Sequence, residues 1–159
     1  MRYRGRSHER GGALVEFALV LPAFFVMMLS IMDFGLYFFV QHTLQFATRE
    51  GARLALVGGT LTDASGNPLS REASIVKRVR ERAGVAMDPA QVTIAIYPLA
   101  ADYSAPADSA SRLDAGSPGS TMRVRVSYPY TFVTPFLHVI MTDGVLRAHA
   151  QATYRNELY

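Results

Sequence analysis

The distribution of apolar residues divides the chain into a hydrophobic front and a patterned remainder. Between residues 13 and 40 the only charged side chains are those of Glu16 and Asp33. About 20 apolar residues are enough for a helix to cross the hydrocarbon core of a bilayer. The pattern therefore predicts a transmembrane helix over residues 12–40, preceded by a basic leader over residues 1–11.

Helical periodicity continues beyond this apolar run. Small and apolar side chains recur at spacings of three and four residues, which places them on one face of an amphipathic helix. They are Leu44, Ala47, Gly51, Leu54 and Ala55. The glycine pair at 58–59 predicts the end of the helix. We therefore expect one long helix over about residues 13–57, of which residues 41–57 are an extension into a head that occupies residues 41–159.

The charged residues of this long helix have two interpretations each. Arg49, Glu50 and Arg53 fall on other faces than the apolar stripe, and Glu50 and Arg53 are spaced for an i,i+3 ion pair. We favour a solvated face, and the alternative is a packing surface for other subunits. For Asp33 we favour hydration at the outer membrane interface, and the alternative is that it faces another subunit.

The remainder of the chain predicts a small head with both helix and sheet. Three segments alternate apolar and polar residues, as half-buried strands do. Residues 100–120 are rich in Ala, Ser, Asp, Gly and Pro and predict an exposed loop. The predicted elements are a helix between Ser70 and Gly84, strands over 91–99, 121–130 and 145–154, with Ala148, Ala150 and Ala152 inward, and a short helix from Thr134–Pro135 to Met141. The fold class is therefore α+β, with a short helix packed on an antiparallel sheet.

Charge predicts the orientation of the chain in a membrane. The net charge is +3, and the leader holds four of the arginines with one glutamate, so the remainder is neutral. Positive residues beside the first span stay in the cytoplasm. We expect the leader in the cytoplasm of a bacterial cell, a single pass through the inner membrane, and the head in the periplasm or outside the cell. A neutral head does not indicate a nucleic-acid partner.

Side chains that could perform chemistry are scattered. There is no cysteine, and His8, His42, His138 and His149 show no metal-ligand spacing. No nucleophile elbow or glycine-rich phosphate loop is present in the sequence. We therefore expect no catalytic site, no bound metal and no cofactor, and we interpret His138 as a packed or interfacial residue of the short helix.

Two blocks of sequence carry a resemblance to a known family. The stretch RGGALVEFALVLP at 10–22, with DFG at 33–35 and ATREGARLA at 47–55, resembles TadE-like proteins. The segment VRVSYPY at 124–130 is similar to a later strand of that family. The resemblance implies a minor pseudopilin or assembly component of tight-adherence (Flp) pilus systems, with a pilin-like head. It further implies roles in adhesion, biofilm formation and secretion, with pilin subunits, assembly machinery and membrane lipid as partners.

The spacing of the front block also predicts processing. Enzymes that remove pilin leaders cut after a glycine, which places Gly11 before the cut and makes Gly12 the new N-terminus. Glu16 is then the fifth residue, where its carboxylate can pair with an α-amine of its own or a neighbouring chain. We expect a leader peptidase as a transient partner, and subunit contacts through Glu16, Phe17 and Pro22. Major Flp pilins have Glu-Tyr where this chain has Glu16-Phe17.

Other interpretations of the front end remain to be weighed. A secretory signal peptide has an apolar core of about 7–15 residues, and this run is longer and lacks a small-x-small cleavage site. An uncleaved single-pass anchor is harder to dismiss; its external domain would bind a partner or stabilise the assembly machinery. Further interface candidates under either interpretation are Asp33, Gly35, Arg49, Glu50 and Arg53.

Overall fold

The computed structural model describes residues 7–135, residue 137 and residues 144–157, with side chains from residue 12 onward. Two helices, one short 3-10 turn and three strands follow one another along the chain. They are α1 (Ser7–Leu56), α2 (Arg71–Ala83), the 3-10 turn Pro89–Gln91, β1 (Thr93–Pro98), β2 (Thr121–Thr131) and β3 (Val145–Arg155). The order confirms the predicted α+β class: a long N-terminal helix, a short helix and a three-stranded antiparallel sheet.

Helix α1 is a single element of 50 residues, or about 75 Å at 1.5 Å per residue. It ends as predicted, because Gly58 adopts φ 64° and its N–H donates to the carbonyl of Ala55 at 3.1 Å. It begins at Ser7, so the predicted start near residue 13 is wrong by about two turns. Pro22 lies inside the helix and does not end it.

The two halves of α1 differ in packing. No residue from 12 to 32 is buried, and Asp33 is the first residue of the helix that the head covers. From Asp33 to Leu56 one side of the helix is buried against the head. We call residues 12–32 the exposed segment; it corresponds to about 31 Å of helix, which is close to the hydrocarbon thickness of a bilayer.

The sheet has the order β1-β2-β3, and its inner face forms the core with both helices. Val124 faces Ile96 on one side and Ala152 on the other. The inner face carries Ile94, Ile96, Met122, Val124, Val126, Ala148, Ala150 and Tyr154. Of the three alanines predicted to point inward, Ala148 and Ala150 are buried and Ala152 packs partly buried against the core, so that prediction is confirmed.

Helix α2 closes the core over the second half of α1. Ser70 caps its N-terminus as predicted, because the side chain accepts a hydrogen bond from the N–H of Ala73. Ile75, Val79 and Ala83 are spaced by four residues and are fully buried. These side chains make α2 an amphipathic helix with its apolar stripe toward α1 and the sheet.

The loop between β1 and β2 is more ordered than its composition indicates. The N–H of Ile96 donates to the carbonyl of Arg112 at 2.7 Å, and the N–H of Asp114 donates to the carbonyl of Ile96 at 2.9 Å. Ala115 is only 1% exposed. The expectation of an exposed loop is therefore wrong for Ala115, whereas Arg112 and Asp114 are partly buried and Leu113 is exposed as expected. Strand β1 is an edge strand, and this segment satisfies the outward backbone N–H and carbonyl of Ile96.

The position of Pro129 fits the chemistry of proline, which is found in sheets mainly at edges and strand ends. Strand β2 is the central strand, and Pro129 lies two residues before its end at Thr131. The predicted helix from Thr134 to Met141 lies largely outside the described residues, and so does His138.

Candidate functional site

The exposed segment of α1 presents a large apolar surface. None of its most apolar stretch is buried. The large exposed side chains include Leu14, Val15, Phe17, Leu19, Val20, Phe24, Phe25, Met27, Met28, Ile31 and Met32. An apolar surface of this length needs lipid or another protein around it. The helix is long and apolar enough to span a membrane and fits a membrane anchor.

The residues predicted for processing and subunit contact lie on this segment or just before it. Gly11 and Gly12 are inside α1, and a Cβ added at Gly12 would meet no atom within 4 Å. Glu16, Phe17 and Pro22 are exposed. Gly12, Glu16, Phe17 and Pro22 are thus accessible to other molecules. Cleavage and subunit contact stay predictions.

Asp33 is the residue whose predicted environment is wrong. Only 2% of it is exposed, and its carboxylate binds the backbone of the head rather than water. Oδ1 accepts from the N–H of Val133 at 3.1 Å, and Oδ2 accepts from the N–H of Thr134 at 2.7 Å. The Asp33 carbonyl accepts from the Tyr130 hydroxyl at 3.4 Å. A carboxylate that accepts backbone N–H groups is stabilised without solvent, which explains its place at the end of the apolar run.

Aromatic rings surround this carboxylate. The ring centroids of Phe34 and Phe132 are 5.7 Å apart, those of Tyr37 and Tyr130 are 5.6 Å apart, and those of Tyr130 and Phe132 are 5.3 Å apart. All three pairs are edge-to-face, which is a favourable arrangement for aromatic rings. Burial raises the pKa of Tyr130, and the charge of Asp33 raises that pKa further. We call these four rings with Asp33 the junction cluster, since they join the head to α1 where the exposed segment ends.

The interface candidates in the second half of α1 are three charged residues and one glycine, and they differ in exposure. Arg49 is exposed, and Glu50 pairs with Arg53 at 3.3 Å as predicted, with 77% of the Arg53 side chain exposed. The two arginines are thus solvated, as favoured, whereas only 19% of the Glu50 side chain is exposed. An ion pair at the protein surface adds little stability. Gly35 is also exposed, with no atom within 4 Å of an added Cβ. Their contact with other subunits stays a prediction.

Gly51 has a packing role that the sequence did not reveal. It is buried where α1 crosses α2, and a Cβ added there would collide with Cγ2 of Val79 and lie 3.6 Å from Cγ2 of Ile75. The helices approach closely because this position has no side chain. Glycine within a predicted helix was the available signal, since it otherwise destabilises a helix by about 1 kcal/mol.

The exposed segment, three members of the junction cluster (Asp33, Phe34 and Tyr37) and the small residues around Gly51 lie on one stretch of chain. The model of the TadE-like protein family matches residues 11–53. The resemblance drawn from the sequence is thereby confirmed over this stretch. The TadE-like match suggests a Tad pilus-associated protein with a membrane-anchor-like helix. No curated protein and no solved structure matches the chain.

A second polar cluster lies outside the TadE-like stretch. Arg71 donates from Nη2 to the carbonyl of Ala55 at 2.7 Å and to Oδ1 of Asn156 at 2.8 Å. The Asn156 amide donates to the carbonyls of Ala115 and Ser117 at 3.0 and 2.9 Å. Asn156 is 3% exposed. This cluster connects the end of α1 with α2, the β1–β2 loop and the end of β3. Sequence analysis missed it, because its members are far apart in the chain.

The described residues offer little that could hold a metal ion. Within them, no group of three or more His, Cys, Asp or Glu side chains comes together. The polar clusters that are present bind the backbone of the chain itself, as Asp33 and Asn156 do. These hydrogen bonds attach the head to the long apolar helix.

Proposed function

We propose that the protein is a membrane-anchored, pseudopilin-like component of tight-adherence pilus assembly that acts structurally and not as an enzyme. The observation that carries this proposal is the continuity of α1, whose exposed apolar segment runs without interruption into the part packed under the head. The TadE-like match over residues 11–53 supports the same role. Its partners would be membrane lipid, other pilin or pseudopilin subunits and the pilus assembly machinery.

The proposed topology follows from charge and hydropathy. The leader faces the cytoplasm of a bacterial cell, α1 crosses the inner membrane once, and the head lies on the periplasmic or outer side. The arginines of the leader support this direction. Adhesion and biofilm formation would then be consequences of pilus assembly.

Glu16 is the residue through which we propose that subunits recognise one another. It is exposed on α1 and forms no hydrogen bond or ion pair with any described side chain. A charged carboxylate within a membrane helix costs about 2.5 kcal/mol or more at the centre of the bilayer. Pairing with the α-amine of a processed neighbour would offset that cost, whereas an isolated chain leaves it uncompensated.

Replacing Glu16 by alanine is expected to leave membrane insertion intact and to reduce co-purification of partner subunits about tenfold, since loss of a charge pair in a low-dielectric setting removes roughly 1.4 kcal/mol or more. Glu16→Gln should show most of the same loss, because it keeps the shape and removes the charge. The matched control is Leu19→Ala, which truncates an exposed apolar side chain of the same helix. Normal pili and unchanged co-purification in the Glu16 variants would contradict this role.

The intact mass of membrane-purified protein is expected to correspond to a chain that starts at Gly12. The reason is that a pilin-type leader peptidase acts from the cytoplasmic side after Gly11, which also requires the proposed topology. Gly11→Leu should block the cut, and Gly12→Ala should be tolerated. A retained leader in cells that assemble pili normally would contradict processing.

An uncleaved anchor is the second candidate function. The observation that favours it is that α1 already begins at Ser7 and passes through the Gly11–Gly12 bond as helix. In this alternative the head binds a partner or stabilises the assembly machinery while the chain remains in the membrane. The mass measurement separates the two, because only the uncleaved anchor keeps residues 1–11.

A further inference from the structure

The outer face of the sheet is strongly basic. None of the three strands contains an aspartate or a glutamate. The outward positions of β2 and β3 carry four arginines and one histidine: Arg123, Arg125, Arg147, His149 and Arg155. Like charges on one face of a sheet repel and lower stability. The concentration of cations on this face therefore needs an explanation other than packing.

A cavity of about 300 Å³ lies on this face. Its polar lining comes from all three strands: Thr93, Arg125, Ser127, Arg147 and His149. The register places Ser127 opposite His149, Arg125 opposite Gln151 and Arg147 opposite Pro129. Arg125 and Arg147 are thus four ladder positions apart, or about 13 Å along the strands, and they line the cavity from opposite ends.

The cations of this cavity keep their charge available. Among the described residues neither Arg125 nor Arg147 forms an ion pair or a side-chain hydrogen bond. The β1–β2 loop contributes Ala110 to the lining, and the nearby Asp108 is engaged by Arg112 at 3.5 Å. No carboxylate lines the cavity itself. The site therefore combines two free guanidinium groups with two hydroxyls and an imidazole.

We propose that this cavity binds a phosphate-type oxyanion. A guanidinium presents a planar fork of N–H donors that matches two oxygens of a phosphate, and here one arginine lines the cavity at each end. The hydroxyls of Thr93 and Ser127 add donors on the floor between them. Ligand pockets range from about 300 to 1,000 Å³, so this cavity suits a phosphate group rather than a large ligand.

Two sources present the same chemistry: a phospholipid head group and a soluble phosphate or phosphate ester. The end of the cavity that Arg147 lines is the end nearer to the exposed segment of α1, which is the membrane side in the proposed topology. Pro129, the partner of Arg147, precedes Val133 by four residues, and the N–H of Val133 binds Asp33 where the exposed segment ends. A head group is thus one candidate source, and the experiment below distinguishes it from the other.

The test uses the full chain in nanodiscs of phosphatidylcholine, titrated with inorganic phosphate at constant ionic strength. Amide NMR shifts of Ser127 and His149 should saturate with a Kd of about 1 mM. The double variant Arg125→Gln/Arg147→Gln should bind about tenfold or more weakly, because it loses both forks. The matched control is Arg80→Gln/Arg82→Gln, which removes the same charge from exposed positions of α2 and should bind as the parent does.

Three results would overturn the proposal: shifts that rise linearly without saturation, shifts that chloride reproduces, or equal weakening in both double variants. If the glutamine pair on the sheet fails to fold, Arg125→Lys/Arg147→Lys replaces it. That pair keeps the charge and loses the fork, so it should bind several-fold more weakly. To distinguish a lipid head group from a soluble phosphate, the amide shifts are measured in nanodiscs that contain phosphatidylglycerol, without free phosphate. Shifts of the same two amides assign the lipid head group, and their absence assigns a soluble phosphate.

Discussion

Replacing Asp33 by alanine is expected to lower the free energy of unfolding of the head by about 3 kcal/mol. The carboxylate is 2% exposed and accepts from two backbone N–H groups, those of Val133 and Thr134. Hydrogen bonds to a charged group contribute more than neutral ones, and donors left unsatisfied in a buried place cost free energy as well. The alanine variant has both losses at once.

Two measurements check this expectation in detergent. Urea unfolding of the head can be followed by the near-ultraviolet circular dichroism of its tyrosines, and hydrogen exchange reports the amides of Val133 and Thr134 directly. Asp33→Asn should also lower the free energy of unfolding by much of that amount. The side-chain NH2 of asparagine is a donor, so it would face one of the two backbone N–H donors. The control Asp108→Ala removes an exposed carboxylate and should unfold like the parent. Slow exchange of both amides in Asp33→Ala would contradict the assignment.

Replacing Gly51 by valine is expected to lower the free energy of unfolding by about 2–3 kcal/mol. Its side chain would enter the space that Val79 and Ile75 of α2 occupy, so the two helices would have to separate. The matched control is Gly35→Ala in the same helix. Because nothing lies within 4 Å of that position, alanine should keep or slightly raise stability through its higher helix propensity.

A double-mutant cycle separates collision from any other effect at this position. Gly51→Ala alone should destabilise the head, because its Cβ meets Cγ2 of Val79. Val79→Ala removes that methyl group, so the double variant should be more stable than the sum of the two single changes implies. Strict additivity in thermal unfolding would show that the contact between α1 and α2 is not what constrains Gly51.

Local periodicity was sufficient to predict most of the secondary structure. Strand β2 occupies residues 121–131 against an expected 121–130, and β3 occupies 145–155 against 145–154. The alternation of apolar and polar residues is a local property, and each strand buries one face, so the pattern survives folding. The end of α1 and the cap at Ser70 were likewise set by residues next to them.

The polar contacts could not be predicted in the same way, because their partners are distant in sequence. Asp33 binds Val133 and Thr134, which lie 100 and 101 positions later. Asn156 binds the loop that precedes β2, and that loop also pairs with the edge of β1 at Ile96. Composition described the loop as polar and exposed, whereas the free edge of the sheet determines where its second half lies.

One continuous helix, α1, carries both the exposed segment and the head. The head packs along the helix from Asp33 to Leu56 and has no joint between itself and the exposed segment. An apolar segment of about 31 Å is longer than a hydrocarbon layer about 27 Å thick. It fits within that layer when the helix tilts by roughly 30° from the membrane normal. If α1 spans a bilayer as proposed, the head would lean with the helix, and the thickness of the bilayer would affect the direction in which the domain is presented to its neighbours.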